Sequence, residues 1–318
     1  MRVSLGGAAQ LLFQLPFVYK LGLLTWPRVK FLKSQPEVKK ILKLMVPAIF
    51  GASVVQIGLL IDTIFASFLQ TGSVSWLYYS DRLSQFPLGI FGVALGTVVL
   101  PHLSSLHAKS DHQNFNQALN WALKLVLTFA LPAAVGLALL AQPIVETIYH
   151  YGKFTELDAV RTAHAVIIFS IGLFFFIAIK VLVSAFYSRQ NMKTPVKIAL
   201  AALGINLLSN LILIYPLGYL GIALATVLSA VFNAVCLLAC LHRQKIWVLN
   251  LGWFKVLGSS VLGVCVMAGV LYFIEHQEVW TAWHALSRLW HLVGLLFLGG
   301  ASYLITLGLL GARQWLKE

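Results

Sequence analysis

Long apolar runs separated by short polar breaks make up most of the chain, at residues 43 to 69, 74 to 100, 117 to 141, 160 to 187, 195 to 215, 218 to 241, 253 to 274 and 287 to 311. A helix rising about 1.5 Å per residue needs about 20 residues to cross a hydrocarbon core about 30 Å thick, and each run is long enough. The pattern predicts an all-α, polytopic transmembrane helical bundle of eight full spans. Residues 1 to 24 form a weaker apolar stretch, interrupted by Gln10, Gln14 and Pro16. It reads as the tail of a helix whose beginning is missing, because a secretory signal would have a cleaner apolar centre and a small-residue cleavage site.

Composition agrees with the pattern. Apolar residues are 59% of the chain and charged residues 10%, where a soluble domain carries about 25% charged. An ordinary soluble enzyme is excluded. The net charge of +13 would suggest nucleic acid in a soluble protein, but here the position of the charges decides. Alternate loops share a side of the membrane. One set, from Lys20, Arg28, Lys30, Lys33, Lys39, Lys40 and Lys43 through Lys109, Arg189 and Lys245 to Arg313 and Lys317, holds 16 of the 23 basic residues. The opposite set holds Lys153, Arg161 and Arg288. The positive-inside rule places the first set, and with it the C-terminus, in the cytoplasm, and no nucleic-acid partner is expected. Cys236, Cys240 and Cys265 lie in apolar stretches without ligand spacing and read as small core residues.

Arg2, Arg82, Lys124 and Lys180 remain, within or at the edge of apolar runs. A charge at mid-bilayer costs about 2.5 to 3.5 kcal/mol on insertion scales, so it usually faces a partner or an aqueous cavity. Ser75, Tyr78, Arg82 and Gln85 recur at helical spacing and share one face of the second span. A guanidinium there can hold a phosphate or pyrophosphate bidentately, with a hydroxyl and an amide beside it. The bland reading is an Asp81–Arg82 pair satisfying itself, although adjacent residues point about 100° apart on a helix. Pro87 can bend this span, and Gly89, Gly92 and Gly96 are explained by close helix packing. Lys180 either meets substrate or snorkels to the interface, and Lys124 is expected to snorkel.

Asp62, Asn206, Asn210 and Thr226 form an all-oxygen set suited to a hard cation such as Na⁺. Asn and Thr also simply bridge helices, and Asp62 could equally carry a proton or sit near a helix end. His102, His107 and His112 do not align on one helix face. No nucleotide-binding, zinc-protease or serine-hydrolase motif occurs, so no enzyme activity is expected.

The string from Asp62 through Ser73-Val-Ser-Trp-Leu-Tyr-Tyr-Ser-Asp-Arg-Leu83 to Gly92-Val-Ala-Leu-Gly-Thr-Val-Val-Leu-Pro101 resembles the MurJ (MviN) lipid II flippases of the MOP exporter superfamily. Tyr151-Gly-Lys-Phe-Thr155, Phe186 to Lys197 and Gly218 to Thr226 extend the resemblance over the whole chain. It implies fourteen helices in two six-helix lobes followed by two groove helices, of which this chain would be the second lobe and the groove pair. Residues 1–42 would then be a truncated helix end and basic cytoplasmic linker, 43–241 the lobe, and 242–318 the groove helices and cytoplasmic tail.

The implied activity is alternating-access flipping of lipid II, the undecaprenyl-pyrophosphate-linked peptidoglycan precursor, across the cell inner membrane. Its partners would be lipid II, membrane lipids and a separately encoded N-terminal lobe. Position by position, Arg82 and Ser75 match cavity residues, and Gln85 stands where many relatives have glutamate. Asp62, Asn206, Asn210 and Thr226 match a sodium site, with Ile222 adding a backbone carbonyl and Asn210 replacing a carboxylate. Competing readings are an inactive remnant, an accessory membrane scaffold, or another MOP-type exporter of lipid-linked oligosaccharides or drugs.

Overall fold

The computed structural model describes residues 2–22, 36–248, 252–275 and 284–311. Arg28, Lys30, Lys33, Arg313 and Lys317, used above for orientation, lie outside the described residues. The chain divides into two units, Met1–Val46 and Pro47–Glu318. In the first, helix α1 (Arg2–Lys20) tolerates Pro16 inside it, agrees with a helical segment at residues 1 to 24, and leaves Leu11, Leu12 and Phe13 exposed.

The second unit starts within α2 (Pro36–Ser67) and continues through α3 (Ser73–Pro87), a π-helical segment (Leu88–Val93), α4 (Ala94–Ala108), α5 (His112–Leu139) and the short α6 (Ala141–Tyr149). It then adds α7 (Glu156–Ser188), α8 (Lys193–Leu217), α9 (Tyr219–Arg243), α10 (Gly252–Glu275) and α11 (Ala285–Leu309). Among the described residues seven helical stretches are long and apolar enough to cross a membrane, with α3, the π segment and α4 counting as one of 36 residues. The remaining expected span falls on α2, 32 residues long, whose Ser53–Ser67 portion is an apolar helix. All eight expected spans are therefore helical. The chain is a multi-pass membrane protein of helical-bundle fold.

Helix α7 is the hub. It packs against α3, α4, α5, α6 and α9, and its buried positions run from Ala159 to Ser188. Its start is set by a capping box: the Thr155 hydroxyl accepts from the Asp158 amide at 3.2 Å, and the Thr155 amide donates back to Asp158 Oδ2 at 2.9 Å. One core cluster, including Leu103, Leu119, Val126, Ile177, Phe186 and Leu237, joins α4, α5, α7 and α9. A second, including Leu140, Val145, Val166, Met267, Leu295 and Tyr303, joins α5, α6, α7, α10 and α11.

The α10–α11 pair is tied to the other helices by polar contacts. Trp253 Nε1 donates to Asn120 Oδ1 at 2.8 Å, and the Tyr303 hydroxyl donates to the Thr128 carbonyl at 2.6 Å. Asn116 and Asn120 also donate to the carbonyls of Ile246 and Val248, which lead into α10.

Three sequence expectations are corrected. Lys124 does not snorkel: it is 2% exposed, because its position faces the same core as Leu123 and Val126. Cys265 is exposed on α10, unlike a core residue, while Cys236 and Cys240 are half-buried. Close packing does not explain Gly89 and Gly96, since a Cβ at either would meet nothing within 4 Å. The sequence pattern also missed α6, whose nine residues are too few to stand out as a span.

Candidate functional site

The site begins with how α3 is held. A left-handed Gly72 (φ 104°) precedes α3, and a Cβ there would stand 2.5 Å from the Trp76 ring. Trp76, 2% exposed, donates through Nε1 to Asp158 Oδ1 at 2.8 Å, so the carboxylate that caps α7 also anchors α3. The Arg161 guanidinium lies 4.5 Å from the Trp76 ring centroid, and Tyr219 meets that ring edge-on at 5.1 Å. The Tyr219 hydroxyl closes the cluster by donating to the Arg161 carbonyl at 3.2 Å. One end each of α3, α7 and α9 is thereby clamped together.

From that clamp α3 projects Ser75, Tyr78, Arg82 and Gln85, all exposed on one face, as their spacing predicts. Arg82 Nε donates to the Tyr78 hydroxyl at 3.3 Å, and its Nη1 to Gln85 Oε1 at 3.4 Å. Its ring stacking is with Tyr78, the centroid lying 5.2 Å away. Asp81 does not form the self-contained pair with Arg82 that the bland reading offered; its Oδ2 accepts from Gln85 Nε2 at 2.5 Å. Gln85 thus stands between the carboxylate and the guanidinium.

Where the π segment follows Pro87, Lys180 of α7 approaches: its Cγ is 3.5 Å from where a Gly92 Cβ would be. Lys180 is exposed. Ten residues of helix separate Arg82 from Gly92, about 15 Å of rise, so Lys180 does not join the Arg82 hydrogen bonds.

The second set comes together from three helices, α2, α8 and α9. Asn210 Nδ2 donates to Asp62 Oδ1 at 2.8 Å and lies 3.3 Å from Asn206 Oδ1. The Thr226 hydroxyl donates to Asp62 Oδ2 at 2.9 Å and is 3.1 Å from the Ile222 carbonyl. Asn206 and Asn210 are 4% and 0% exposed, and Asn210 Oδ1 is buried with no hydrogen-bond partner. Five oxygen-bearing groups, one of them the unpartnered Asn210 Oδ1, form an all-oxygen donor set of the kind a hard cation prefers. Among the described residues no group of three or more His, Cys, Asp or Glu could hold a metal ion.

The two sets share a pocket of about 310 Å³. Asp62, Ile222 and Thr226 line it from the second set, and Ser75 and Tyr78, with Asp81, from the first. Sequence spacing separates these sets by whole helices and offers no sign that they meet. It also missed the Trp76 clamp; the only local trace of it is Thr155 three residues before Asp158.

Comparison with known proteins follows this geometry. A family model described as lipid II flippase MurJ matches residues 1–294. A probable lipid II flippase MurJ of Vibrio cholerae serotype O1 is 43% identical over 313 residues, covering 98% of this chain and 59% of that protein. The lipid II flippase MurJ of Burkholderia cenocepacia is 36% identical over 315 residues, covering 98% and 61%. The chain thus spans about three fifths of the length of these relatives. A solved structure of lipid II flippase MurJ in an inward closed conformation superposes with a TM-score of 0.72 at 29% identity, over 86% of this chain and 54% of that one. An outward-facing MATE family multidrug transporter of the MOP superfamily shares the fold, with a TM-score of 0.57 at 16% identity over 89% of this chain and 66% of that one. With a family model matching nearly its full length, the chain belongs to the lipid II flippase MurJ family.

Proposed function

We propose that this chain forms the second half of a lipid II flippase, moving undecaprenyl-pyrophosphate-linked peptidoglycan precursor across the inner membrane by alternating access. The observation that carries this reading is the exposed α3 face within a membrane span, where Arg82 donates, among the described residues, to the neutral Tyr78 and Gln85 oxygens. Neutral acceptors orient a guanidinium without forming an ion pair, so the nearby Asp81 carboxylate, held off by Gln85, offsets its charge only in part. Its planar fork then suits a pyrophosphate, with Ser75 and Gln85 adding hydrogen bonds. Lys180, about 15 Å further along the helix direction, is placed to meet a second anionic group of the same substrate.

The cavity is completed by helices outside these 318 residues, in the same polypeptide or in a separately encoded first lobe. The basic loops put the C-terminus in the cytoplasm. Carrying Arg82 and Lys180 across part of the field couples movement to the membrane potential, at about 2.3 kcal/mol per elementary charge per 100 mV. The groups that would hold Na⁺ are Asp62, Asn206, Asn210, Thr226 and the Ile222 carbonyl; the cation would supply a fixed positive charge beside α3. The buried, unpartnered Asn210 Oδ1 supports this fit.

The test is rescue of flippase-depleted cells by this chain, co-expressed with the first lobe of a full-length relative. Wild type is expected to rescue, and Arg82→Ala to abolish rescue while inserting at the normal level. Normal rescue by Arg82→Ala removes the assigned role of the guanidinium. Failure of wild type with the lobe present favours a membrane scaffold instead.

A further inference from the structure

The shared pocket places the cation set and the anion-facing helix in electrostatic contact. Asp62, Thr226 and Ile222 line the pocket, as do Asp81, Ser75 and Tyr78. Two carboxylates lining one pocket disfavour one another's charge. Asp62 accepts from Asn210 and Thr226, and Asp81 from Gln85, all neutral donors. Among the described residues that line this pocket or hydrogen-bond to its lining, two carboxylates are therefore accompanied by one cation, Arg82, on Asp81's own helix. Asn210 is fully buried, holds Asp62 through Nδ2, and leaves its own Oδ1 without a partner.

A chain of contacts leads from this pocket to the substrate face. Asp81 Oδ2 accepts from Gln85 Nε2, Gln85 Oε1 accepts from Arg82 Nη1 at 3.4 Å, and Arg82 Nε donates to Tyr78, which lines the pocket. With the pocket free of cation, the local count is two carboxylates against one guanidinium, net negative, and Asp81 competes for the positive charge of Arg82. One monovalent cation restores the balance. Asp81 is then compensated from the pocket side, and the guanidinium can give its charge to an incoming phosphate.

We propose that Asp81 is a positioning residue that links the two sites, so that a monovalent cation bound at Asp62 raises the affinity of the Arg82 face for a pyrophosphate group. The inference rests on the cation reading of the Asp62 set given above. Linkage makes it reciprocal: the pyrophosphate must tighten cation binding by the same factor. The structure also sets the sign. Cation and anion are taken up together, because each relieves an unfavourable charge left by the other.

The experiment uses the full chain purified in detergent. Binding of radioactive sodium is measured by scintillation proximity. Binding of farnesyl pyrophosphate, a short prenyl pyrophosphate, is measured by calorimetry in sodium and in choline buffers of equal ionic strength. Wild type is expected to bind sodium and to bind farnesyl pyrophosphate about fivefold or more tightly in sodium, the lower end of ordinary coupling between sites. Asp81→Asn should bind farnesyl pyrophosphate with nearly equal affinity in the two buffers, and in choline at least as tightly as wild type. Asp81→Glu should restore the sodium response, which a merely structural role for Asp81 would not predict.

Absence of sodium binding in wild type, with farnesyl pyrophosphate still bound, overturns the cation reading itself. Sodium binding by wild type together with an unchanged sodium response in Asp81→Asn overturns the link through Asp81. Asp62→Asn, expected to lose sodium binding, keeps the two failures distinguishable.

Discussion

Single residues in this protein are decided by which neighbour they meet. Lys124 and Arg82 are both basic residues within apolar runs, yet Lys124 is 2% exposed in the helical core and Arg82 is exposed on the α3 face. Charge and hydropathy cannot separate them; the direction of the side chain does. Gly72 shows the same dependence on a contact. Its left-handed φ of 104° disfavours any Cβ, and the Trp76 ring already fills the space a Cβ would take. Gly72→Ala is expected to destabilise the protein by about 1 to 3 kcal/mol, read as a lowered midpoint of thermal unfolding in detergent. An unchanged midpoint would mean that the start of α3 relaxes without strain.

Helical elements here carry information in their irregularities. The run from residue 74 to 100 predicts one span, but the structure inserts the π segment Leu88–Val93 immediately after Pro87. A π turn holds one extra residue, which offsets everything before it from everything after it by about 100°. That offset lets Trp76 face its clamp while Val99 and Leu103, 4% and 0% exposed, face the core. Deleting Gly89, where a Cβ would meet nothing within 4 Å, should restore an α register and force one of these anchors out of place. The expected outcome is loss of cell rescue with a lowered unfolding midpoint. Full rescue would show that the irregularity is incidental.

Across the whole molecule, the α10–α11 pair and the other helices form one packed body from Pro47 onward. Asn120, 3% exposed, accepts from Trp253 and donates to the carbonyls of Asn116 and Val248, so one amide secures the approach to α10. Trp253→Phe leaves Asn120 Oδ1 without its donor and should cost about 1 to 3 kcal/mol. Thermal unfolding followed in detergent checks this. A shift no larger than that of an exposed control such as Phe254→Leu would show that packing alone holds the pair.

At this largest scale, what the sequence determined by itself is what depends on length and composition: the eight long apolar runs that become helical, the all-α membrane class, and the α3 face at three- and four-residue spacing. Those features are local, because a helix satisfies its own backbone hydrogen bonds and a bilayer asks only for enough apolar length. Of the oxygen set, Asp62, Asn206, Asn210 and Thr226 were legible from their chemistry as a weak signal beside ordinary helix bridging, and Ile222 came only through the resemblance. Only the tertiary structure decided that this set shares a pocket with Asp81, that Gln85 separates Asp81 from Arg82, and that Trp76, Asp158, Arg161 and Tyr219 clamp three helices. These are contacts between residues up to 164 positions apart. Their energies depend on distance and direction in space, which hydrophobic periodicity along a chain does not encode.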